Sequence, residues 1–137
     1  MTPELPILIV DDEPLILSML EMALTADGYK VVTARSGDEA IRCACLQRFD
    51  LFMIDLIMPR KDGIETILTL RASDKKTPII AMSGGWNDGA NNCLPLAEKI
   101  GACGILAKPF DRNTLLATVR REIRRPELMA MPPIATT

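Results

Sequence analysis

Five short apolar runs, separated by longer segments of helical periodicity, constrain the fold of this 137-residue chain more than any other feature of its sequence. A short apolar run without polar alternation is typical of a strand buried on both faces, and such strands form parallel sheets with helical crossovers. The alternation therefore predicts an α/β fold of five β-α units in a three-layer sandwich with right-handed connections. The predicted strands are Ile7 to Val10, Val31 to Ala34, Leu51 to Ile54, Ile79 to Met82 and Gly104 to Ala107.

Capping signals and helical periodicity fill the segments between these runs. Leu17, Leu20 and Leu24 share one helical face, and Ser36 with Glu39 forms a capping-box pattern. The predicted helices run from about Pro14 to Asp27, from Ser36 to about Gln47, around Ile64 to Arg71, and onward from the cap Asp111. The segment from Ser83 to Asn92 is rich in glycine and predicts a mobile loop, with a short fourth helix after Pro95.

The chain has the length of one domain. Pro126, Pro132 and Pro133 follow the last helical stripe with few polar anchors between them. We therefore expect a domain over residues 1–125 and a disordered tail over residues 126–137, with no output domain.

Charge and composition exclude several classes of function. The 16 Lys and Arg against 18 Asp and Glu leave a net charge of -2, so we expect no direct DNA binding and no membrane association. The absence of histidine excludes Ser-His triads, histidine general bases and phosphohistidine carriers. Cys43, Cys45, Cys93 and Cys103 form no zinc-binding pattern, and the apolar stretch Leu5 to Val10 is too short for export, which predicts a cytoplasmic protein with reduced thiols.

Acidic side chains follow two of the predicted strands. Asp11 and Asp12 come directly after the first run, and Asp55 comes directly after the third. The carboxyl ends of neighbouring parallel strands meet at one crevice, so these carboxylates can form a cluster. Their repulsion can be relieved by a raised pKa, by a lysine such as Lys108, or by a hard cation such as Mg²⁺. Ser83, at the end of the fourth run, adds a hydroxyl group to the same crevice.

Each of these residues also has an ordinary structural interpretation. An acid at a strand end often caps the next helix, a lone Ser83 can serve a turn, and a lone Lys108 can be a solvated surface residue. The presence of suitable chemistry at all four strand ends favours one anionic, metal-assisted site.

With these motifs in place, the chain resembles the receiver domain of bacterial two-component response regulators from about Ile7 to Arg124. The matching segments are Asp11-Asp12, Asp55 to Pro59 followed by Asp62-Gly63, Ser83, and Lys108-Pro109-Phe110. The resemblance, which extends to stand-alone chemotaxis regulators, implies a flavodoxin-like fold with the strand order 2-1-3-4-5.

The same resemblance implies the roles of the site residues. Asp55 would accept a phosphoryl group from a sensor histidine kinase or a histidine phosphotransfer protein. Asp11, Asp12, Asp55 and the backbone carbonyl of Ile57 would hold Mg²⁺, while Ser83 and Lys108 would contact the phosphoryl group. A cis Lys108-Pro109 bond is implied as well. Such a protein catalyses only its own phosphorylation and dephosphorylation, and it signals to a downstream protein by conformational change.

Three features depart from the family pattern. Ile57 stands where many relatives have a polar side chain, and Ile105 stands where an aromatic ring is usual. The interval from Ser83 to Lys108 is also longer than expected, and the excess falls in the loop that holds Trp86. We therefore expect the output surface to switch without an aromatic rotamer change.

Other classes of function remain as alternatives. An Mg²⁺-dependent phosphatase with an aspartate nucleophile would share the carboxylates but would place a second Asp where Ile57 stands. A flavodoxin-like FMN carrier and a phosphate-independent binding receiver would not need the acidic cluster with Lys108. No G-x-x-x-x-G-K-[ST] motif supports nucleotide hydrolysis.

Overall fold

One parallel five-stranded sheet forms the centre of the molecule. The computed structural model describes residues 4–58, 63–83 and 96–130, with side chains as far as residue 123. The strands are β1 (Ile7–Val10), β2 (Val31–Ala34), β3 (Leu51–Asp55), β4 (Ile79–Ser83) and β5 (Gly104–Ala107). The helices are α1 (Pro14–Ala26), α2 (Gly37–Leu46), α3 (Gly63–Ser73), α4 (residues 96–100) and α5 (Arg112–Ala130). The strand order is β2-β1-β3-β4-β5, which confirms the predicted fold.

The helices cover both faces of the sheet because alternate strand residues point to opposite sides. Leu8 and Val10 of β1 pack with residues of α2, α3 and α4. Ile7 and Ile9 of the same strand pack with residues of α1 and α5. These two cores give the three layers, and every residue of β1, β3 and β4 is buried.

The two strands nearest the candidate site are each one residue longer than predicted. Asp55 is the last residue of β3 and is in register with Met82, and Ser83 is the last residue of β4 and is in register with Ala107. Both side chains are therefore oriented by strand pairing and do not belong to a loop.

The capping predictions are confirmed at two helices. The hydroxyl oxygen of Ser36 accepts a hydrogen bond from the Glu39 amide at 3.1 Å, as the capping box requires. At the start of α5, the Asp111 carboxylate accepts from the Thr114 amide at 2.7 Å, and these hydrogen bonds lower the pKa of Asp111. The Lys108-Pro109 peptide bond is cis, as the family resemblance implies.

Helix α5 differs from the prediction at its end. It continues past residue 125 and through Pro126 to Ala130, so residues 126–130 are helical and do not belong to a disordered tail. A proline inside a helix removes one amide donor and crowds the preceding turn, which was the reason to expect an end here. Residues 131–137 lie outside the described part of the chain, as does most of the predicted loop from Ser83 to Asn92.

Arg71, in the last turn of α3, ties together the segments that enter β4 and β5. Its guanidinium group donates to the carbonyl oxygens of Gly101 at 2.8 Å, Asp74 at 3.1 Å and Thr77 at 2.6 Å. These bonds lie at the amino ends of the strands, opposite the candidate site. They hold the starts of the two strands whose ends carry Ser83 and Lys108.

Within the described ranges, the predictions about cysteines and membranes can be compared with the structure. Cys43, Cys45 and Cys103 are free thiols, and Cys93 lies outside those ranges. In the same part of the chain, no helix combines the length and the apolar character that crossing a membrane requires.

Candidate functional site

Four strands bring the predicted site residues together at the carboxyl end of the sheet. Asp11 and Asp12 follow β1, Asp55 ends β3, Ser83 ends β4, and Lys108 follows β5. Because β1, β3, β4 and β5 are neighbours and parallel, their carboxyl ends lie side by side. The residues meet although Asp11 and Lys108 are 97 positions apart in the sequence.

Three carboxylates form the acidic part of the site. One oxygen from each of Asp11, Asp12 and Asp55 lies within 4.8 Å of the others. Asp11 is fully buried and Asp55 is 3% exposed, while Asp12 is partly exposed. Carboxylate oxygens in a partly open cluster are the ligands that Mg²⁺ prefers, so the donor set fits this ion.

The two carboxylate oxygens of Asp11 have different partners. Its Oδ1 atom accepts a hydrogen bond from the Glu13 amide at 3.0 Å, just before α1 begins. Its Oδ2 atom accepts from the Lys108 ammonium group at 2.6 Å. One carboxylate oxygen therefore supports the start of the helix, and the other faces the site.

Lys108 supplies the positive charge of the site. Its Nζ atom lies 2.6 Å from Asp11 Oδ2 and 3.6 Å from Asp55 Oδ1, and its amide donates to the Ser83 carbonyl at 2.7 Å. Burial lowers the pKa of Lys108, but the hydrogen bond to Asp11 and the charge of Asp55 outweigh that effect and raise it above its ordinary value. Lys108 is therefore a cation at neutral pH.

Asp55 is buried, and its charge is only partly compensated by Lys108. Burial raises the pKa of Asp55 to about 7; the charge of Lys108 acts against this rise, and the charge of Asp11 adds to it. Its hydrogen bond from the Ile57 amide is long, at 3.4 Å. Without a bound cation, the Asp55 carboxyl group thus changes its charge close to neutral pH.

Ser83 and Ile57 lie at different depths in the site. Ser83 is 1% exposed at the end of β4, whereas Ile57 is half-exposed just beyond β3. Ile105 is partly buried in β5, in register with Ala81. Pro59, Asp62 and Trp86, which belong to the motifs and the loop identified in the sequence, lie outside the described residues.

An apolar groove beside Lys108 was not anticipated from the sequence. It has a volume of about 360 Å³ and lies between α1 and the start of α5. Its apolar lining includes Ile16, Met19, Leu20, Phe110 and Leu115. The outer face of α1 is apolar as well, because Leu15, Met19 and Met22 are mostly exposed. The signal for this surface was present in the sequence, since α1 has apolar residues on both its inner and outer faces.

Comparison with known proteins decides the family. The sequence pattern of the response regulator receiver domain matches residues 7–120. The chain belongs to this family. Receiver domains are the phosphoacceptor domains of two-component response regulators; they are phosphorylated by histidine kinases and generally bind Mg²⁺.

Two curated relatives of this receiver domain are longer proteins. It is 35% identical over 124 residues to the alkaline phosphatase synthesis transcriptional regulatory protein PhoP of Bacillus subtilis, covering 90% of this chain and 50% of that protein. It is 31% identical over 132 residues to the cell cycle response regulator CtrA of Brucella ovis, covering 95% of this chain and 55% of that protein. The chain therefore spans about half the length of these relatives.

A solved structure matches the receiver domain over nearly its whole length. The chemotaxis protein CheY4 of Vibrio cholerae superimposes with a TM-score of 0.79 and is 34% identical. The match covers 88% of this chain and 99% of that one.

The raised pKa of Asp55 predicts an unusual pH dependence of stability in metal-free protein. The group has a pKa of about 7 in the folded state and 3.8 as its ordinary value, so between these values the folded state binds more protons. The free energy of unfolding should therefore fall as pH rises through this interval, by about 2 kcal/mol from pH 5 to pH 7.5. Asp55→Asn should lose this fall and should be more stable than the parent at pH 7.5.

Urea denaturation in the presence of a chelator, for both proteins at each pH, measures the difference directly. Because groups away from the site titrate equally in the two proteins, the difference between them reports on Asp55 and the charged groups beside it. Parallel pH profiles would contradict the assignment of a raised pKa to this carboxyl group.

Proposed function

We propose that this chain acts as a single-domain response regulator that accepts a phosphoryl group on Asp55 and signals by conformational change. The observation that carries the proposal is the placement of a buried Asp55 carboxylate 3.6 Å from Lys108 and within the Asp11-Asp12 cluster. Similarity to a chemotaxis protein whose chain is matched almost completely supports the single-domain part of the proposal.

In the proposed reaction, an Asp55 carboxylate oxygen attacks the phosphorus atom of a phosphohistidine in line with the leaving nitrogen. The new oxygen–phosphorus bond forms as the phosphorus–nitrogen bond breaks, and the imidazole of the donor leaves. Asp55 must be ionised to attack, and its pKa of about 7 keeps a large ionised fraction at neutral pH. Catalysis then depends on positioning and on neutralising the charge of the transferred group.

The remaining site residues supply that neutralisation. Asp11, Asp12, Asp55 and the Ile57 carbonyl are the proposed ligands of Mg²⁺, which when bound would offset the negative charge of the phosphoryl oxygens. Lys108, already within 3.6 Å of Asp55, would pair with one phosphoryl oxygen. The Ser83 hydroxyl, at the adjacent strand end, would donate a hydrogen bond to another.

A histidine kinase or phosphotransfer protein must reach Asp55 from the carboxyl edge of the sheet. We place its docking surface on α1 and the adjoining groove, because this exposed apolar area borders Lys108 directly. Exposed apolar patches of this kind mark protein interaction sites. Met19 belongs to both the groove and the outer face of α1.

The rival classes have less support. A phosphatase with an aspartate nucleophile lacks its second Asp at position 57, where a half-exposed isoleucine stands. A phosphate-independent receiver would have no use for the buried cluster, which costs stability at neutral pH. Direct DNA binding stays unexpected for a chain of net charge -2, although one longer relative is a transcriptional regulatory protein.

Incubation with acetyl phosphate and Mg²⁺ should add one phosphate to the chain at Asp55. The Asp55→Asn protein should gain none, because an amide is not a nucleophile for this transfer. Intact-mass spectrometry at short times measures the adduct. Asp38→Asn, on the surface of α2, is the control and should react like the parent. An adduct that persists in Asp55→Asn would assign phosphorylation to another residue.

Met19→Asp should slow phosphotransfer from a protein donor at least tenfold, because a charge would then be desolvated against an apolar partner. Phosphorylation by acetyl phosphate should be unchanged, since this donor needs no docking surface. A panel of purified, autophosphorylated histidine kinases is first tested on the parent protein. The phosphotransfer rate from the fastest of these donors is then measured for each variant. Leu46→Asp, at another exposed apolar residue, on α2 across the sheet, is the control. Equal transfer to parent and Met19→Asp would place docking elsewhere.

Ile57→Asn should shorten the lifetime of the phosphorylated protein several-fold. Hydrolysis needs a water molecule in line with phosphorus, and the half-exposed Ile57 side chain offers that water no hydrogen bond. A polar side chain at the rim can orient the water, which corresponds to a barrier lowered by roughly 1 kcal/mol. The rate of loss of the mass adduct at fixed Mg²⁺ and pH measures the change. Leu68→Asn, with similar exposure on α3, should lose phosphate at the parent rate. If Ile57→Asn loses phosphate no faster than the parent, Ile57 does not have this role.

A further inference from the structure

Gly63, the first residue of α3, packs against the backbone of Asp55. It is buried, and its amide donates to the Leu56 carbonyl at 3.1 Å. A β-carbon built at position 63 would overlap the carbonyl oxygen of Asp55 and would lie 2.6 Å from the Leu56 Cα atom. Real β-carbons essentially never approach other heavy atoms within 3.0 Å. Position 63 therefore has no room for a side chain unless the backbone moves.

This requirement comes from space and not from backbone conformation. Gly28 and Gly101 adopt φ values of +98° and +129°, which disfavour other residues by themselves. Gly63 lies in a helix, where any residue has a permitted φ. At Gly63 the missing side chain adjoins the backbone of the proposed phosphoacceptor, whereas a β-carbon at Gly101 would meet the Arg71 side chain.

Both partners of this contact are held from their other sides. The Leu56 amide donates to the Met82 carbonyl at 2.9 Å, which fixes the end of β3 against β4. Helix α3 is anchored by Ile67 and Leu70, which are buried in the core. A methyl group at position 63 would thus push on a strand end that continues directly into the Asp55 carboxylate.

We propose that Gly63 is a positioning residue for Asp55. Its missing side chain lets α3 begin in contact with the end of β3, and this contact sets the distances from the Asp55 carboxylate to Lys108 and to the Asp11-Asp12 pair. The kinetic consequence rests on the proposed phosphoacceptor function, whereas the displacement of Asp55 does not. Clearing the overlap needs a shift of about 1 Å, and a misplacement of this size can cost about a hundredfold in rate.

The kinetic test compares Gly63→Ala with Gly28→Ala. Gly28 precedes β2, at the end of the sheet away from the site, and its β-carbon would meet no atom within 4 Å. Its substitution therefore strains the backbone without touching the site. At saturating acetyl phosphate and Mg²⁺, Gly63→Ala should lower the maximal phosphorylation rate at least tenfold. Gly28→Ala should keep the parent rate even where urea denaturation shows an equal loss of stability. A parent-like maximal rate for folded Gly63→Ala would overturn the proposal.

A second measurement follows Asp55 without any phosphorylation. In protein labelled with ¹⁵N and ¹³C, Gly63→Ala should shift the amide signals of Asp55 to Ile57 and the Asp55 carboxyl carbon, and titration should show weaker Mg²⁺ binding. Gly28→Ala should leave these signals and the Mg²⁺ affinity at parent values. Unshifted Asp55 signals in Gly63→Ala would mean that α3 moves and Asp55 keeps its position, which refutes the proposal. If the parent itself takes no phosphate, the proposed function fails while this measurement still decides the role of Gly63.

Discussion

The ion pair between Lys108 and Asp11 is the interaction on which the site depends. It joins the end of the first strand to the end of the last across 97 residues of sequence, at a distance of 2.6 Å. A fully buried carboxylate would be costly without such a partner. Lys108 is that partner for one oxygen of Asp11, and the other oxygen accepts from the Glu13 amide just before α1. Lys108 is thereby held 3.6 Å from Asp55, ready to contact whatever binds there.

This arrangement satisfies one carboxylate at the expense of another. Lys108 hydrogen-bonds Asp11 and only approaches Asp55, so burial raises the pKa of Asp55 to about 7. The charge of Asp55 is therefore incompletely neutralised. A bound cation, or a phosphoryl group paired with Lys108, would change the charge around this carboxyl group. Two continuous cores, one on each face of the sheet, stabilise the fold against this local cost. At the other end of the sheet, Arg71 holds the starts of β4 and β5.

Sequence reasoning was most successful where a short-range pattern carries the information. The five strands and the caps at Ser36 and Asp111 could be predicted, because each depends on neighbours within a few positions. The acidic cluster could be predicted because its residues follow two apolar runs, and the ends of parallel strands meet. It was wrong about residues 126–130, where a single proline did not end α5. It treated Asp11 as either a capping or a site residue, whereas its two oxygens bond the Glu13 amide just before α1 and the Lys108 ammonium group. It noted Gly63 only as part of a motif, since the need for glycine there arises from contact with β3.

The sequence by itself therefore determined which elements form, which residues stand at the strand ends, and which family the chain resembles. Apolar runs and caps act through local burial and hydrogen bonding, so their consequences can be read along the chain. Only the tertiary structure decided that Lys108 bonds Asp11 more closely than Asp55, that the outer face of α1 stays exposed beside the site, and that Gly63 adjoins the Asp55 backbone. These features depend on distances between segments far apart in sequence, and such distances are set by how helices and strands pack.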